Sequence, residues 1–464
     1  MSPGSYGHAA LPRGDTGKAV TPSNAVTPSE TEHSGIAARR LRSRSRSRVL
    51  LATVVAVVAI GAAVGAAVAT GGSSLTTRDR YWQQDIAYLA TRLPRVHVDG
   101  LTGGTTSARW NAAADRLKAD VPHLTNGQII TGMARIVAHL HDDETAVNVP
   151  TTPLFPFQTQ WIGAGLYLIV VPDADRDLLG GRLLAVDGHP IAQVLSAIRA
   201  TVDYEDAGVA RGMEAQLVQN PAWLWYLGLV SSIRSARFTV GLPSGRNVSA
   251  DIESYGANGG LHGQPRAVTV PLPLYLQRNN QPYWMTVLAA HDAVYLKYNQ
   301  CLDNDGFQRL AARALALLRA HPDWRLIIDL RFNGGGSTSP VQTVARWIAA
   351  DPAVDRPGRI LGLIDGNTYS SASLDSYILQ SQDGAILIGQ PTAERRDTYG
   401  DNGSRLALPH YGITVQYTTA VVNGAGAVYG VPDITVAPTL HDWLTGTDPV
   451  LAAALAYQRH GAGA

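Results

Sequence analysis

The chain has a single cysteine, Cys301, among 464 residues. One thiol cannot close an internal disulfide or furnish a Cys-rich zinc site, so the fold must rest on packing. That count leaves the compartment open, because many exported bacterial proteins also lack disulfides. Net charge is scarce as well. A formal value of +1 gives no electrostatic reason to expect a nucleic-acid partner. Internal repeats are absent. What the chain does have is length for two or three domains and an apolar fraction of 45%, ordinary for a globular protein and too high for a disordered one.

The basic charge that stands out is confined to one segment. Residues 1–36 are rich in Ser, Thr, Pro and Gly without apolar periodicity, and Arg39, Arg40, Arg42, Arg44, Arg46 and Arg48 follow. Residues 1–48 are therefore expected to form a disordered basic tail. Val49 to Thr70 then runs for 22 residues without a charge, about enough helix to cross a bilayer of roughly 30 Å. The expected element is a single transmembrane signal anchor at 49–70. By the positive-inside rule the arginines place the tail in the cytoplasm and the rest of the chain outside the cell membrane. A leader of this length favours an uncleaved anchor over a cleaved signal peptide.

Beyond the anchor, apolar residues at helical steps (Ile86, Leu89, Leu93; Ile129, Met133, Ile136, Leu140) predict a helical subdomain over 76–150. It ends in the polar cluster His139-Leu-His-Asp-Asp-Glu-Thr145. A second unit, 156–275, opens with an alternating strand or hairpin and continues as strand, turn and helix across Gly180 to Leu195. This pattern resembles a PDZ-like module, whose strand edge can bind an extended peptide. Over 283–457 strands and helices alternate, which predicts an α/β core domain with a buried sheet.

Two motifs in that core carry chemistry. Leu326-Ile-Ile-Asp-Leu-Arg-Phe-Asn-Gly-Gly-Gly-Ser337 is a buried strand running into glycines, whose backbone N–H groups can approach a ligand closely. The run lacks the Gly-Lys-Ser/Thr ending of a P-loop, so an oxyanion hole suits it better than a phosphate site. Gly366-Asn-Thr-Tyr-Ser-Ser-Ala-Ser373 follows the apolar strand Ile360–Ile364 and opens a helix. A hydroxyl at a strand-to-helix turn, next to the unpaired N–H groups of a helix N-terminus, suits a nucleophile; Ser370 as a simple N-cap is the alternative.

Asp329 to Gly336, Thr368-Tyr-Ser370 and Gly389-Gln-Pro-Thr392 stand in the order and at the separations seen in serine peptidases of the C-terminal processing (tail-specific) protease and tricorn-core family, which the chain resembles over most of its length from Thr76 onward. The resemblance implies a spiral α/β core related to ClpP and crotonase, preceded by a helical subdomain and a PDZ-like domain. It also implies a polypeptide substrate and no metal or organic cofactor. Position by position it makes Ser370 the nucleophile, with Ser371 and Ser373 as nearby alternatives. One oxyanion donor would be the N–H of Ser371 and the other a glycine of Gly335-Gly336.

The base departs from the family pattern. Arg395 stands where the processing proteases carry a lysine, and arginine does not give up its proton. Glu144 stands where tricorn-like members carry a histidine, within Asp142-Asp-Glu-Thr145. Three possibilities follow. Glu144 is the base, its pKa raised by burial and by Asp142 and Asp143; His141 or His139 takes its place; or the chain keeps the fold as a peptide binder without an effective base.

Overall fold

A computed structural model describes residues 75–148, 153–202, 204, 206–256, 271–394, 399–400, 403–421, 428 and 430–458. The expected tail, the apolar run 49–70 and Arg395 lie outside the described residues. Among the described residues no helix is long and apolar enough to cross a membrane.

The first elements are α1 (Thr77–Val96), α2 (Ser107–Asp120), α3 (Asn126–Val137) and the short strand β1 (Ala146–Asn148). Thr76 and Thr125 start α1 and α3 with reciprocal capping boxes, to Asp79 and Gln128, which satisfy N–H groups a helix start leaves open. The stripe Trp82, Ile86, Leu89 and Leu93 buries one face of α1.

There follow β2 (Gln158–Ile162), β3 (Gly165–Val170), β4 (Arg182–Val186), β5 (His189–Pro190), α4 (Ile191–Arg199), α5 (Ala207–Leu217), α6 (Pro221–Tyr226), β6 (Ser235–Gly241) and β7 (Asn247–Glu253). The strands form an antiparallel sheet in the order β2-β3-β4-β6-β7, with β5 paired to β4. Asp187 and Gly188 turn β4 into β5 with φ of 45° and 80°. Positive φ at both central residues is what a tight hairpin needs to match strand twist, and Asp-Gly supplies it at low cost.

The α/β core comprises β8 (Tyr283–Leu288), β9 (Ala293–Tyr298), α7 (Gly306–Ala320), β10 (Arg325–Asp329), α8 (Ser339–Ala349), β11 (Ile360–Ile364), α9 (Ser371–Asp383) and β12 (Ile386–Gly389). After it come β13 (Tyr399–Gly400), β14 (Ser404–Ala407), β15 (Thr414–Tyr417), β16 (Ala420–Val421), β17 (Ile434–Thr435), α10 (Leu440–Thr445) and α11 (Pro449–Ala456). The main sheet runs β17-β12-β11-β10-β9-β8, parallel except for the edge strand β8. Each parallel strand lies beside the previous one in the same direction, so right-handed crossovers put α7, α8 and α9 on one face. Val294, Leu296, Leu326 and Ile328 pack there, while Tyr295, Ile327, Leu361 and Leu363 point to the other face, covered by Val450, Leu451 and Ala454 of α11. Burial on both faces explains why these strands are apolar without alternation.

One pairing joins distant parts of the chain. β15 pairs antiparallel with β1, Val415 opposite Val147, and Leu406, Leu408, Ile413 and Val415 share a core with Trp82 and Met133. The loop between α3 and β1, which holds Glu144, is thereby held by residues from near the C-terminus.

Candidate active site

β10 and β11 are parallel neighbours, with Asp329 opposite Leu363, so the loops leaving their C-terminal ends meet. One is the glycine run and the other the serine turn. Asn333 holds the two together: its side-chain oxygen accepts the N–H of Gly335 at 2.9 Å, and its carbonyl accepts the N–H of Tyr369 at 3.0 Å. Cys301 brackets the same loop, donating its N–H to the Gly335 carbonyl and accepting that of Ser337. Gly335 and Gly336 have φ of 93° and 138°. A Cβ on Gly336 would stand 2.1 Å from the Cys301 carbonyl oxygen, so the loop closes only with glycine there.

Ser370 occupies the N-cap position of α9 with φ 52° and ψ −130° and makes no capping hydrogen bond. A β-carbon residue in that region is strained, and the strain leaves the hydroxyl uncommitted among the described residues. The neighbouring serines are committed. Ser371 donates to the Gly336 carbonyl at 2.8 Å, and buried Ser373 donates to the Thr368 carbonyl at 3.0 Å. Thr368 fastens the turn to the glycine loop by donating to the Leu330 carbonyl at 3.1 Å. Of the glycine donors, Gly335 is occupied by Asn333, while no acceptor is found among the described residues for the N–H groups of Gly336 and Ser371.

Beneath this pair of loops lies a charged foundation. Arg331 is buried between Asp329 and Asp448, reaching Asp448 with both terminal nitrogens at 2.8–2.9 Å, and its guanidinium stacks 3.9 Å from the ring centroid of Tyr275. Lys297, also buried, donates to the carbonyl oxygens of Asp329 and Arg331. Burial pushes the Asp329 carboxyl up, but Arg331 and Lys297 outweigh it and hold it below the usual range. The Asp-Leu-Arg part of the motif thus anchors the strand end to α11.

On the other side stands the loop His141–Thr145. Asp142 is buried, and its oxygens accept the Glu144 N–H at 2.9 Å, the Thr145 and Thr418 hydroxyls at 2.5 Å and His97 Nε2 at 2.8 Å. His97 Nδ1 accepts the N–H of Asp99 at 3.3 Å, so a neutral ring carries its proton on Nε2 and donates it to Asp142. The Glu144 side chain is buried and its carbonyl accepts the side-chain amide of Gln416. His141 is exposed with φ 57°, and His139 is partly buried at the end of α3.

One residue, Met213, borders both the serine turn and the acidic loop. Met213 packs against the small apolar cluster of Val209, Tyr369 and Ala393, and it lines a cavity with Asp143 and Thr145. The Ala393 N–H donates to the Thr368 carbonyl, while the Tyr399 hydroxyl donates to Asp99 beside His97.

Sequence reasoning singled out Ser370 and the glycines but missed His97, Glu394 and Asp375. Glu394 is buried and follows Ala393 directly. Asp375 is buried in α9. Nothing local marked them; a carboxylate inside a helix pattern is a buried group only once the fold is known.

No protein-family description and no curated protein matches the chain. Solved structures do. Mature CPAF complexed with lactacystin aligns with a TM-score of 0.59 at 13% identity, over 82% of this chain and 99% of that one. Mature CPAF alone aligns with 0.59 at 15%, over 82% and 97%. The photosystem II D1 C-terminal processing protease is more distant, with a TM-score of 0.41 at 15% identity, over 81% of this chain and 100% of that one. The chain accordingly has the mixed α/β fold of mature CPAF.

Proposed function

We infer that the protein is a serine-type endopeptidase, akin to the tail-specific proteases, that hydrolyses polypeptides through Ser370. The observation that carries this is the Ser370 turn: a strained serine at a helix N-terminus, packed against a glycine loop, with no partner among the described residues for its hydroxyl or for the Gly336 N–H. In the reaction, Ser370 Oγ bonds to the scissile carbonyl carbon as its proton passes to Glu144. The N–H groups of Gly336 and Ser371 hold the resulting oxyanion. Collapse breaks the C–N bond, and the leaving amine takes the proton from Glu144. Water then hydrolyses the acyl-serine by the same path, restoring Ser370. Glu144 is buried in the loop that Asp142 holds, and a carboxylate is a chemically competent acceptor and donor of the serine proton.

The second reading is a catalytically silent peptide binder, favoured by the replacement of the family bases by Arg395 and Glu144. In it the antiparallel sheet β2-β3-β4-β6-β7 serves as a PDZ-like module that accepts an extended peptide as an added strand. In both readings the run Val49–Thr70 anchors the chain with residues after Gly71 outside the membrane; protease accessibility of sealed vesicles checks this orientation.

The deciding experiment incubates the protein with an unstructured polypeptide, wild type beside Ser370→Ala and Glu144→Gln. Cleavage by wild type and its loss in Ser370→Ala are expected. Undiminished cleavage by Ser370→Ala rules out the nucleophile, and binding without cleavage by any form leaves the peptide-binding reading.

A further inference from the structure

Against the glycine loop a set of polar groups is buried together. Asp375 is wholly buried on α9, and its position four residues beyond Ser371 puts both on one face of the helix. Its Oδ2 lies 3.3 Å from the Cys301 sulfur, while its Oδ1 has no partner among the described residues. The Cys301 sulfur in turn accepts the side-chain amide of Asn333 at 3.3 Å. Asn333 is the residue that grips the Gly335 N–H and the Tyr369 N–H, and it donates to the Tyr298 carbonyl at 3.0 Å. Cys301 holds the loop by its own backbone at Gly335 and Ser337.

The mechanism above uses none of these side chains, yet each touches something that shapes the oxyanion donors. A carboxyl in an apolar core without a cation beside it is costly unless it is hydrogen-bonded or protonated. Here it sits at the end of a short chain: Asp375 to Cys301, Cys301 to Asn333, Asn333 to Gly335.

We propose that Asp375 is a positioning residue: through Cys301 and Asn333 it fixes the glycine loop in the one geometry that consumes the Gly335 N–H and leaves those of Gly336 and Ser371 for substrate. Desolvation pushes its carboxyl well above the ordinary range, in the direction of the protonated form. A neutral amide of the same shape should replace it, and an apolar side chain of similar size should not. This inference rests on Ser370 being the nucleophile.

The test reacts the full chain with a fluorophosphonate and follows modification of Ser370 by intact mass, for wild type, Asp375→Asn and Asp375→Leu. Amide hydrogen exchange at Gly335 to Ser337 is measured in parallel. Asp375→Asn should react at close to the wild-type rate. Asp375→Leu should react about tenfold more slowly or worse, since small misplacements in a site cost rate steeply, and its loop amides should exchange faster. Cys301→Ala, which deletes only the sulfur, should slow labelling in the same direction and serves if the leucine variant does not fold. Wild-type labelling together with unchanged labelling or unchanged loop exchange in Asp375→Leu overturns the role of Asp375 and leaves the nucleophile standing. Failure of wild type to label overturns the peptidase reading and this inference with it.

Discussion

Gly335 stands against Ser370: a Cβ on the glycine would lie 2.8 Å from the Cβ of the serine and 2.9 Å from the Ser371 backbone nitrogen. Backbone and elbow cannot both keep their places with a methyl group between them. Gly335→Ala should therefore move the serine turn, and the alanine would also carry a positive φ. A loss of about 1–3 kcal/mol in unfolding free energy is expected from the backbone conformation alone, with a fall of about a hundredfold in kcat/KM for polypeptide cleavage from displacement of the site. Chemical denaturation and steady-state kinetics check the two separately; an active, wild-type-like alanine variant would show that the contact does not constrain the turn.

Asp142 receives four donors in a buried site: the Glu144 N–H, two hydroxyls and His97. Asp142→Ala leaves all of them without their acceptor. Each stranded group costs about 1–3 kcal/mol, so a loss of about 3 kcal/mol or more is expected, with Glu144 released from its place. His97→Ala removes one donor and should cost less. Urea unfolding of the two variants orders them; equal stabilities would mean that Asp142 is not the centre of the loop.

Arg331 is the bridge between β10 and α11. Arg331→Leu leaves Asp448 buried without its cation and Asp329 with Lys297 alone, and breaking one partner of such a pair costs about 3–5 kcal/mol. A large drop in Tm is expected. Asp448→Asn, which keeps a hydrogen-bonding oxygen near Arg331, should lose less. Calorimetry on the pair of variants decides whether the anchor works through charge or through hydrogen bonding.

Asp383, near the C-terminal end of α9, is pushed up from 3.8 to about 7 by burial and by the charge of Asp355. Between those values the folded state holds a proton that the unfolded state has lost. Its contribution to stability is therefore complete below pH 3.8 and disappears as pH rises through about 7. A carboxylate at a helix C-terminus is also disfavoured by the helix dipole. Asp383→Asn should raise Tm above wild type at pH 8 and lose most of that advantage at pH 5. A Tm difference independent of pH would contradict the raised carboxyl.

Much of the core was legible because its signals are local. The apolar run Ile360–Ile364 is a strand with those bounds, and the helix that opens at the serine turn is α9, Ser371–Asp383. Glycines at 335 and 336 marked a backbone open to close approach, and in the structure both take positive φ. The helical stretch after Thr76 gave α1, α2 and α3, while nothing local told that β15 pairs with β1.

The amino-acid sequence by itself determined the order of strands and helices and put Ser370 on a strand-to-helix turn after a glycine loop, because periodicity, turn residues and motif spacing are written in neighbouring positions. Only the tertiary structure decided which polar groups are committed. Asn333 takes the Gly335 N–H, leaving Gly336 and Ser371; His97, far back in the chain, takes Asp142; Glu144 and Asp375 are buried. Burial and hydrogen-bond partnership depend on segments that meet in space from distant parts of the chain, and no local pattern encodes those meetings.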